Sequence, residues 1–294
     1  RRRVYSKIVR LGEGASKNGR LSHGAMQRTL TVLKRMADII HEEKVKVIFP
    51  LATESARMAE NSKEFFQKVK AQTNLDFKII TAQEEARLAV LACAPLMGHL
   101  KEALIFDIGG GSTEVILVER TAEHLKIVDW TSKPFGVVRG RDRFGSTLKP
   151  TDYDLYASEF EAAMKPFFKR NQAFQKIPYA VIGSSGTVTA LAASALELFK
   201  YNPQLVDGAH LEVKKILNFA SMAAKTPLFS RKLNPIIGPG RAEYLPSGCA
   251  ILEGLFRHVK GEQLIAADRG LREGVFYSLI PSTPKVQFKK VGKS

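Results

Sequence analysis

The run Asp107-Ile-Gly-Gly-Gly-Ser-Thr-Glu114 carries the residue types in this sequence that are best suited to phosphate chemistry. Its two acids flank a glycine turn that joins two β-rich runs, Ala103 to Asp107 and Ser112 to Glu119. A hairpin tip with almost no side chains lets backbone N–H groups approach an anion, and carboxylates are ligands for a hard metal ion. The alternative is an ordinary glycine hairpin, because glycines are common at turns.

A second run, Gly183-Ser-Ser-Gly-Thr187, follows an apolar strand and opens a helix. Its amides and hydroxyls are therefore expected where a helix N-terminus favours phosphate, and the alternative is a capped helix start. The two loops supply the residues that we expect to bind phosphate: Gly109, Gly110, Gly111, Ser112, Thr113, Gly183, Ser184, Ser185, Gly186 and Thr187.

Two further charged residues, Glu85 and Arg57, are candidates for catalysis or phosphate binding. Glu84 and Glu85 lie in the first turn of a helix after Thr81, where capping or the helix dipole explains Glu84. The side chain of Glu85 projects about 100° around the helix axis from that of Glu84 and can face a different surface, so Glu85 is a candidate to position or deprotonate water. Arg57 follows a strand end and can hold phosphate oxygens bidentately, with an ordinary surface arginine as the alternative.

Other reactions have weaker support in the sequence. The six histidines show neither metal-ligand spacing nor a Gly-x-Ser-x-Gly partner, and no G-x-x-x-x-G-K-[ST] loop is present. Trp130, the only tryptophan, is expected to pack rather than to stack on a base. No motif interleaves basic and aromatic residues as RNA-binding domains do.

Length and composition indicate an ordinary globular protein. The 294 residues are 45% hydrophobic, and 45 Lys and Arg against 29 Asp and Glu give a net charge of +16, which favours polyanionic partners. Cys93 and Cys249 are far apart and form no zinc motif, so we expect a reducing, cytoplasmic location. No apolar run approaches the ~18 residues that span a bilayer.

The elements that would position these residues alternate between helix and strand, which indicates α/β layering. In the first part, strands are expected at Arg3 to Val9, Val45 to Phe49 and Phe77 to Ile80. A helix capped by Ser22 runs to about Lys44, and Asn61 with Glu64 resembles a capping box. Thr81 and Glu84 form a second capping-box pattern, and the helix that they open ends near Pro95 and Gly98.

In the later part, helices are expected from Asp152, Thr187, Leu211 and Arg241, with strands at Tyr179 to Ile182 and Leu264 to Ala267. The tail from Lys285 to Ser294 has four lysines without an acid and no periodic pattern, and it is expected to be solvated.

Several motifs in one order closely resemble the exopolyphosphatase and guanosine pentaphosphate phosphatase (Ppx/GppA) family of the actin, sugar-kinase and heat-shock ATPase superfamily. The motifs are Ala52-Thr-Glu-Ser-Ala-Arg57, Ile80-Thr-Ala-Gln-Glu-Glu-Ala-Arg-Leu88, Phe106-Asp-Ile-Gly-Gly-Gly-Ser-Thr-Glu114, Gly183-Ser-Ser-Gly-Thr187, Gly238-Pro-Gly-Arg-Ala-Glu243 and Asp268-Arg-Gly-Leu-Arg-Glu-Gly274. The resemblance spans nearly the entire chain.

The resemblance implies an α/β, two-lobed actin-like (ribonuclease H-like) fold around a cleft. The lobes are expected at residues 1–98 and 99–294, joined by the Thr81 helix, and the helix after Asp268 crosses back near the hinge. The family opens with an Asp-x-Gly-[ST]-Asn-like hairpin, whereas this sequence starts in the strand that should follow it.

The resemblance also implies roles for individual residues. Glu85 would be the catalytic carboxylate, Asp107 and Glu114 would serve Mg²⁺ and water, and Arg57 would contact phosphate. The glycine loops would bind phosphate through backbone amides.

The leading hypothesis is an exopolyphosphatase that releases terminal orthophosphate from inorganic polyphosphate by metal-assisted attack of water. A guanosine pentaphosphate phosphatase, a non-catalytic nucleotide or polyphosphate sensor and a basic nucleic-acid scaffold are the alternatives. The expected partner is inorganic polyphosphate or guanosine pentaphosphate, with no specific nucleic acid and no membrane, and a homodimer is left open.

Overall fold

The computed structural model describes Tyr5 and residues 7–289. The chain divides into two compact units, Arg1–Ala82 and Gln83–Ser294. The helix that carries Glu85 therefore belongs to the second unit, whereas the sequence placed the division after residue 98. In the described part of the chain, no helix is both long enough and apolar enough to cross a membrane.

The first unit is mainly helical. Its elements are α1 (Ala15–Asn18), α2 (His23–Glu42), β1 (Leu51–Ala52), α3 (Glu54–Met58), α4 (Ser62–Thr73) and β2 (Lys78–Ile79). The Ser22 hydroxyl accepts a hydrogen bond from the Ala25 N–H, which confirms the predicted cap of α2. Strands β1 and β2 pair in parallel, and the apolar faces of α2 and α4 supply half of a separate core.

Two predictions for this unit are wrong. Val45 to Phe49 is not a strand in the described structure: pairing begins only at Leu51, and Val47 is 67% exposed. Asn61 precedes α4 but does not cap it, because its side chain instead bonds both the N–H and the carbonyl of Leu21. Arg3, Val4 and Ser6 of the strand expected at Arg3 to Val9 lie outside the described residues, and Tyr5 and residues 7–9 are not in a strand.

The second unit contains a seven-stranded mixed sheet in the order β7-β8-β6-β3-β4-β5-β9. Its strands are β3 (Glu102–Ile108), β4 (Thr113–Arg120), β5 (His124–Lys133), β6 (Ala180–Ser184), β7 (His210–Glu212), β8 (Gln263–Ala267) and β9 (Lys285–Phe288). Strands β3, β4 and β5 form an antiparallel meander, while β6 and β8 run parallel to β3.

Helices cover this sheet. They are α5 (Ala82–Cys93), α6 (Val137–Phe144), α7 (Pro150–Arg170), α8 (Gly186–Ala195), α9 (Pro203–Val206), α10 (Val213–Lys225), α11 (Leu228–Leu233), α12 (Gly238–Arg241), α13 (Leu245–Phe256) and α14 (Leu271–Ser278). Short 3₁₀ helices follow α5 and α7, at Ala94–Met97 and Phe174–Lys176.

The alternation of side chains along the strands divides the core into two layers. Leu104 and Phe106 point to one face, where α7, α8, α10 and α13 pack. Ala103 and Ile105 point to the other, where the apolar side of α5 packs. The side chain of Trp130 packs edge-on against Phe288, as the sequence predicted.

The predicted hairpin of β3 and β4 and the strands β6 and β8 are confirmed, and α7 and α8 begin within two residues of the predicted starts. Leu211 lies in β7, two residues before α10 begins. Lys285 to Phe288 form β9, so that part of the tail is not a solvated coil: Val286 and Phe288 are half-buried on the sheet beside β5. Residues 290–294 lie outside the described part.

Candidate active site

The two glycine loops lie at the same end of the sheet because the strands that precede them are parallel neighbours. Asp107, next to last in β3, is in register with Ser184, the last residue of β6. Ser184 is in turn in register with Ala267, the last residue of β8. The carboxyl ends of parallel strands are a common position for ligand sites in α/β sheets.

Asp107 and Glu114 face each other across the hairpin. They are direct cross-strand partners, so their side chains lie on one face of the sheet. Alternation places them on the same face as Ile105 and Ile116, which α5 covers. Glu85 is in the first turn of that helix. Two strands and one helix thus bring the three predicted carboxylates together.

The grouping of these three carboxylates changes the pKa of Asp107. Burial is the main reason that its pKa lies well above the ordinary value for an aspartate, and the negative charges of Glu114 and then Glu85 raise the pKa further. A site that collects like charges in this way favours a bound cation, because a cation relieves the repulsion.

Glu114 is held by hydroxyl groups. It is only 3% exposed, and its Oε1 accepts hydrogen bonds of 2.7 Å from both Ser112 Oγ and Ser132 Oγ. Hydrogen bonds to a carboxylate are among the stronger ones in proteins and fix its orientation. Ser132 is the cross-strand partner of Glu114 on β5.

The first glycine loop is oriented by the start of α6. The N–H groups of Val137 and Val138 donate to the carbonyls of Gly109 and Gly110 at 3.0 and 2.8 Å. The Arg139 guanidinium donates to the Gly111 carbonyl at 2.7 Å. The loop carbonyls are therefore occupied, while no described residue accepts a hydrogen bond from the N–H of Gly110 or Gly111. Free N–H groups in a glycine turn suit an anion.

A glycine outside the motif makes this arrangement feasible. A Cβ at Gly136, the residue before α6, would lie 2.3 Å from the Gly110 carbonyl oxygen. Gly109 and Gly110 themselves do not adopt positive φ. The close approach of α6 to the first glycine loop therefore requires glycine at position 136, because any Cβ there would collide with the loop backbone.

The second loop connects β6 to α8. The Ser185 hydroxyl accepts from the Val188 N–H at 2.9 Å, so the capped helix start that we weighed as an alternative is present. The Ser184 hydroxyl donates to the Arg269 carbonyl at 2.6 Å. Gly183 lies inside β6, where a Cβ would lie 2.5 Å from the Phe106 ring. The groups that this loop offers an anion are therefore mainly the backbone N–H groups at the start of α8.

The Asp268-to-Gly274 motif supports the second loop. Arg269 forms a bidentate pair with Asp207, with nitrogen–oxygen distances of 2.9 Å from both Nε and Nη2. This pair holds the backbone carbonyl that receives Ser184. On α14, a Cβ at Gly274 would lie 2.1 Å from the Leu88 carbonyl oxygen, so α14 and α5 pack at close range.

The remaining predicted residues have clear local partners. Glu84 binds Arg87 through two hydrogen bonds of 2.8 Å. Arg57, on α3 of the first unit, donates to the Ile80 carbonyl at 2.9 Å. Its role toward phosphate stays a prediction.

The acidic residues can be compared with the needs of Mg²⁺, which usually takes one or two carboxylates and completes its shell with waters and substrate phosphates. Among residues that the structure describes, no three His, Cys, Asp or Glu side chains are grouped to hold one metal ion. The pair Asp107 and Glu114, beside a loop with free N–H groups, fits the sparser magnesium pattern.

The sequence did not reveal Ser132, Gly136 or Arg139 as parts of this site. The alternation of the apolar residues Leu125 and Ile127 could have predicted β5 and placed it beside β4. That pairing brings Ser132 opposite Glu114. Nothing in the sequence around Gly136 and Arg139 indicates that they contact a loop some 25 residues earlier.

Known proteins resemble this chain in sequence and fold over most of its length. The model of the Ppx/GppA phosphatase family matches residues 5–283. The crystal structure of the Ppx/GppA family member from Aquifex aeolicus is 29% identical, with 92% of this chain and 86% of that chain covered and a TM-score of 0.72. An exopolyphosphatase from Cytophaga hutchinsonii is 24% identical, with 92% and 87% covered and a TM-score of 0.83, and it shows the shared fold. This chain therefore belongs to the Ppx/GppA phosphatase family and has its actin-like α/β fold.

Proposed function

We propose that the protein is an exopolyphosphatase, which hydrolyses the terminal phosphoanhydride bond of inorganic polyphosphate. The proposal rests on one observation: Asp107, Glu114 and Glu85 lie close enough to interact electrostatically, beside a glycine loop with free N–H groups. Phosphoryl transfer requires chiefly that oxygens be positioned and their charge neutralised, and these groups supply both.

Each part of the site has a role in this reaction. The N–H groups of Gly110 and Gly111 and the start of α8 bind the non-bridging oxygens of the terminal phosphate. Glu85 orients a water molecule and accepts its proton as the oxygen attacks phosphorus, and the bridging P–O bond breaks to release orthophosphate and a chain shorter by one phosphate. That Arg57 contacts phosphate stays a prediction from the family resemblance.

Mg²⁺ would be held by Asp107 and Glu114, and it would supply neutralisation of the charge on the phosphate oxygens. The hydrogen bonds from Ser112 and Ser132 keep Glu114 in a fixed orientation for this purpose.

The choice of polyphosphate rests on the charge of the chain. A net charge of +16 favours a long polyanion over a compact one, because more phosphates can contact lysines and arginines outside the reacting centre. The second candidate is guanosine pentaphosphate, since the family includes phosphatases for both substrates.

Parallel phosphate-release assays with polyphosphate and guanosine pentaphosphate, each with and without Mg²⁺, test the proposal. We expect faster turnover of polyphosphate. Turnover of guanosine pentaphosphate alone would assign the protein to the second activity, and binding of either compound without turnover would make it a sensor.

A further inference from the structure

A basic groove lies in the second unit, outside the candidate active site. It is a cavity of about 640 Å³ whose lining includes four exposed lysines, Lys165, Lys169, Lys176 and Lys260. Within the described residues, none of the four forms an ion pair. We call this cavity the lysine groove.

The topology places the lysine groove at the opposite end of the sheet from the glycine loops. Lys176 and Lys260 come shortly before β6 and β8 begin, whereas the glycine loop after β6 and the Asp268 segment follow the ends of these parallel strands. Strand β3, with seven residues, spans about 20 Å between these ends. A ligand must be extended to reach both.

The charge of the lysine groove is not balanced by its acids. Arg257 lines the groove and binds Glu161 and Glu253 at 2.8 and 3.0 Å. Counting these groups with the four lysines leaves an excess of three positive charges. The C-termini of α7 and α13 each carry about half a negative charge, so the helix dipoles offset only about one of the three.

The side chains indicate which polyanion fits. Proteins that bind single-stranded nucleic acid combine a basic groove with exposed aromatic rings on which bases stack. Here the aromatic lining residue, Phe168, is 4% exposed, and the ring of His258 stacks on it at 4.9 Å. Lysine ammonium groups are flexible point charges with rotatable donors, which suit a chain of phosphates without bases.

We propose that the lysine groove binds the internal phosphates of long-chain inorganic polyphosphate while the terminal phosphate occupies the site beside the glycine loops. This inference rests on the proposed function and adds a second contact region for the same substrate. Short substrates cannot reach the groove, so it acts on affinity for long chains alone.

The test compares two double variants with the wild-type protein. K165Q/K169Q removes two charges from the groove side of α7. As a matched control, K63Q/K68Q removes from α4 two exposed lysines that form no ion pair with any residue that the structure describes. Direct binding of long-chain polyphosphate is measured by competition with a fluorescent polyphosphate. Phosphate release is measured separately with long-chain polyphosphate and tripolyphosphate.

We expect K165Q/K169Q to weaken long-chain binding about fivefold, since each exposed charge contact contributes a few-fold in affinity. Its KM for tripolyphosphate and both kcat values should equal those of the wild type. K63Q/K68Q should change neither binding nor KM.

Two results would overturn the inference, and a third would overturn the proposed function alone. Equal affinity for long-chain polyphosphate in all three proteins would exclude the lysine groove as a binding site and would leave the proposed activity unaffected. A larger loss of RNA binding than of polyphosphate binding in K165Q/K169Q would assign the groove to nucleic acid. If the wild type binds long polyphosphate through the groove but releases no phosphate from any chain, the proposed function fails and the groove assignment stands.

Discussion

Replacement of Gly136 by alanine tests the link between α6 and the first glycine loop. The added Cβ would lie 2.3 Å from the Gly110 carbonyl oxygen, 2.5 Å from its carbon and 2.6 Å from the Gly111 nitrogen. All three atoms belong to the backbone, so no side-chain rotation relieves the contact. Since carbon contacts are favourable only near 3.5–4.0 Å, the loop and the start of α6 must separate by about 1 Å.

The expected loss of stability has two parts. Separation weakens the bonds from the Val137 N–H to Gly109 O and from the Val138 N–H to Gly110 O, now 3.0 and 2.8 Å long. Each such bond contributes about 1 kcal/mol, and losing about half of both contributions costs about 1 kcal/mol. Overpacking adds about 1–3 kcal/mol, so the free energy of unfolding should fall by about 2–4 kcal/mol. In a domain of about 200 residues this lowers the melting temperature by roughly 5–15 °C.

The catalytic effect follows from the same movement. A displacement of about 1 Å in groups that position a reacting phosphate can lower turnover about 10²-fold. Thermal unfolding and phosphate release are measured on G136A and on the control G24A, where the Cβ would have an ordinary 3.5 Å neighbour in Arg28. G136A with the melting temperature and turnover of the wild type would refute the steric argument, as would an equal loss in G24A.

Three further predictions concern single carboxylates. Glu85→Gln should lower kcat ~10²-fold or more with little change in KM, and near-normal kcat in the folded variant would exclude Glu85 as the base. Asp107→Asn removes a charge that repels Glu114 and Glu85, so it should raise the melting temperature without Mg²⁺ by about 2–4 °C. The same variant should weaken magnesium-dependent activity, because it removes a carboxylate ligand. Unchanged magnesium dependence would exclude Asp107 as a ligand of the metal. Burial opposes ionisation of Asp129, but hydrogen bonds from Arg170 and Asn171 outweigh the effect of burial and lower the pKa of Asp129. The ionised form of Asp129 therefore stabilises the fold at pH values above the unfolded pKa of about 3.9. Asp129→Asn should therefore cost about 1 kcal/mol at pH 7, and the difference should vanish as the pH falls through the folded pKa; a pH-independent difference would contradict this assignment.

The sequence predicted those parts of the site that lie within one local pattern. The hairpin around Gly109 to Gly111 and the strand–loop–helix around Gly183 each combine an apolar run with turn residues, and both form as expected. Each motif is a single continuous segment, so its local structure does not depend on distant residues.

The parts that sequence reasoning missed depend on pairing between distant segments. Lys285 to Phe288 alternate basic or polar with apolar residues, but the strand forms only because β5 offers an edge 161 residues earlier. Asn61 has a capping residue type, yet the backbone of Leu21, 40 residues away, occupies its side chain. In both cases a tertiary contact decides between local alternatives of similar energy.

The candidate site also explains why stability and function oppose each other here. A hairpin that needed only to fold would not place Asp107 opposite Glu114 and beneath a helix bearing Glu85, because burial and repulsion both disfavour their charges. Ser112 and Ser132 fix the orientation of Glu114 through hydrogen bonds from their hydroxyl groups. Carboxylates that are gathered and oriented in this way are suited to a ligand that brings positive charge and many oxygens, which is what a magnesium-bound phosphate chain supplies.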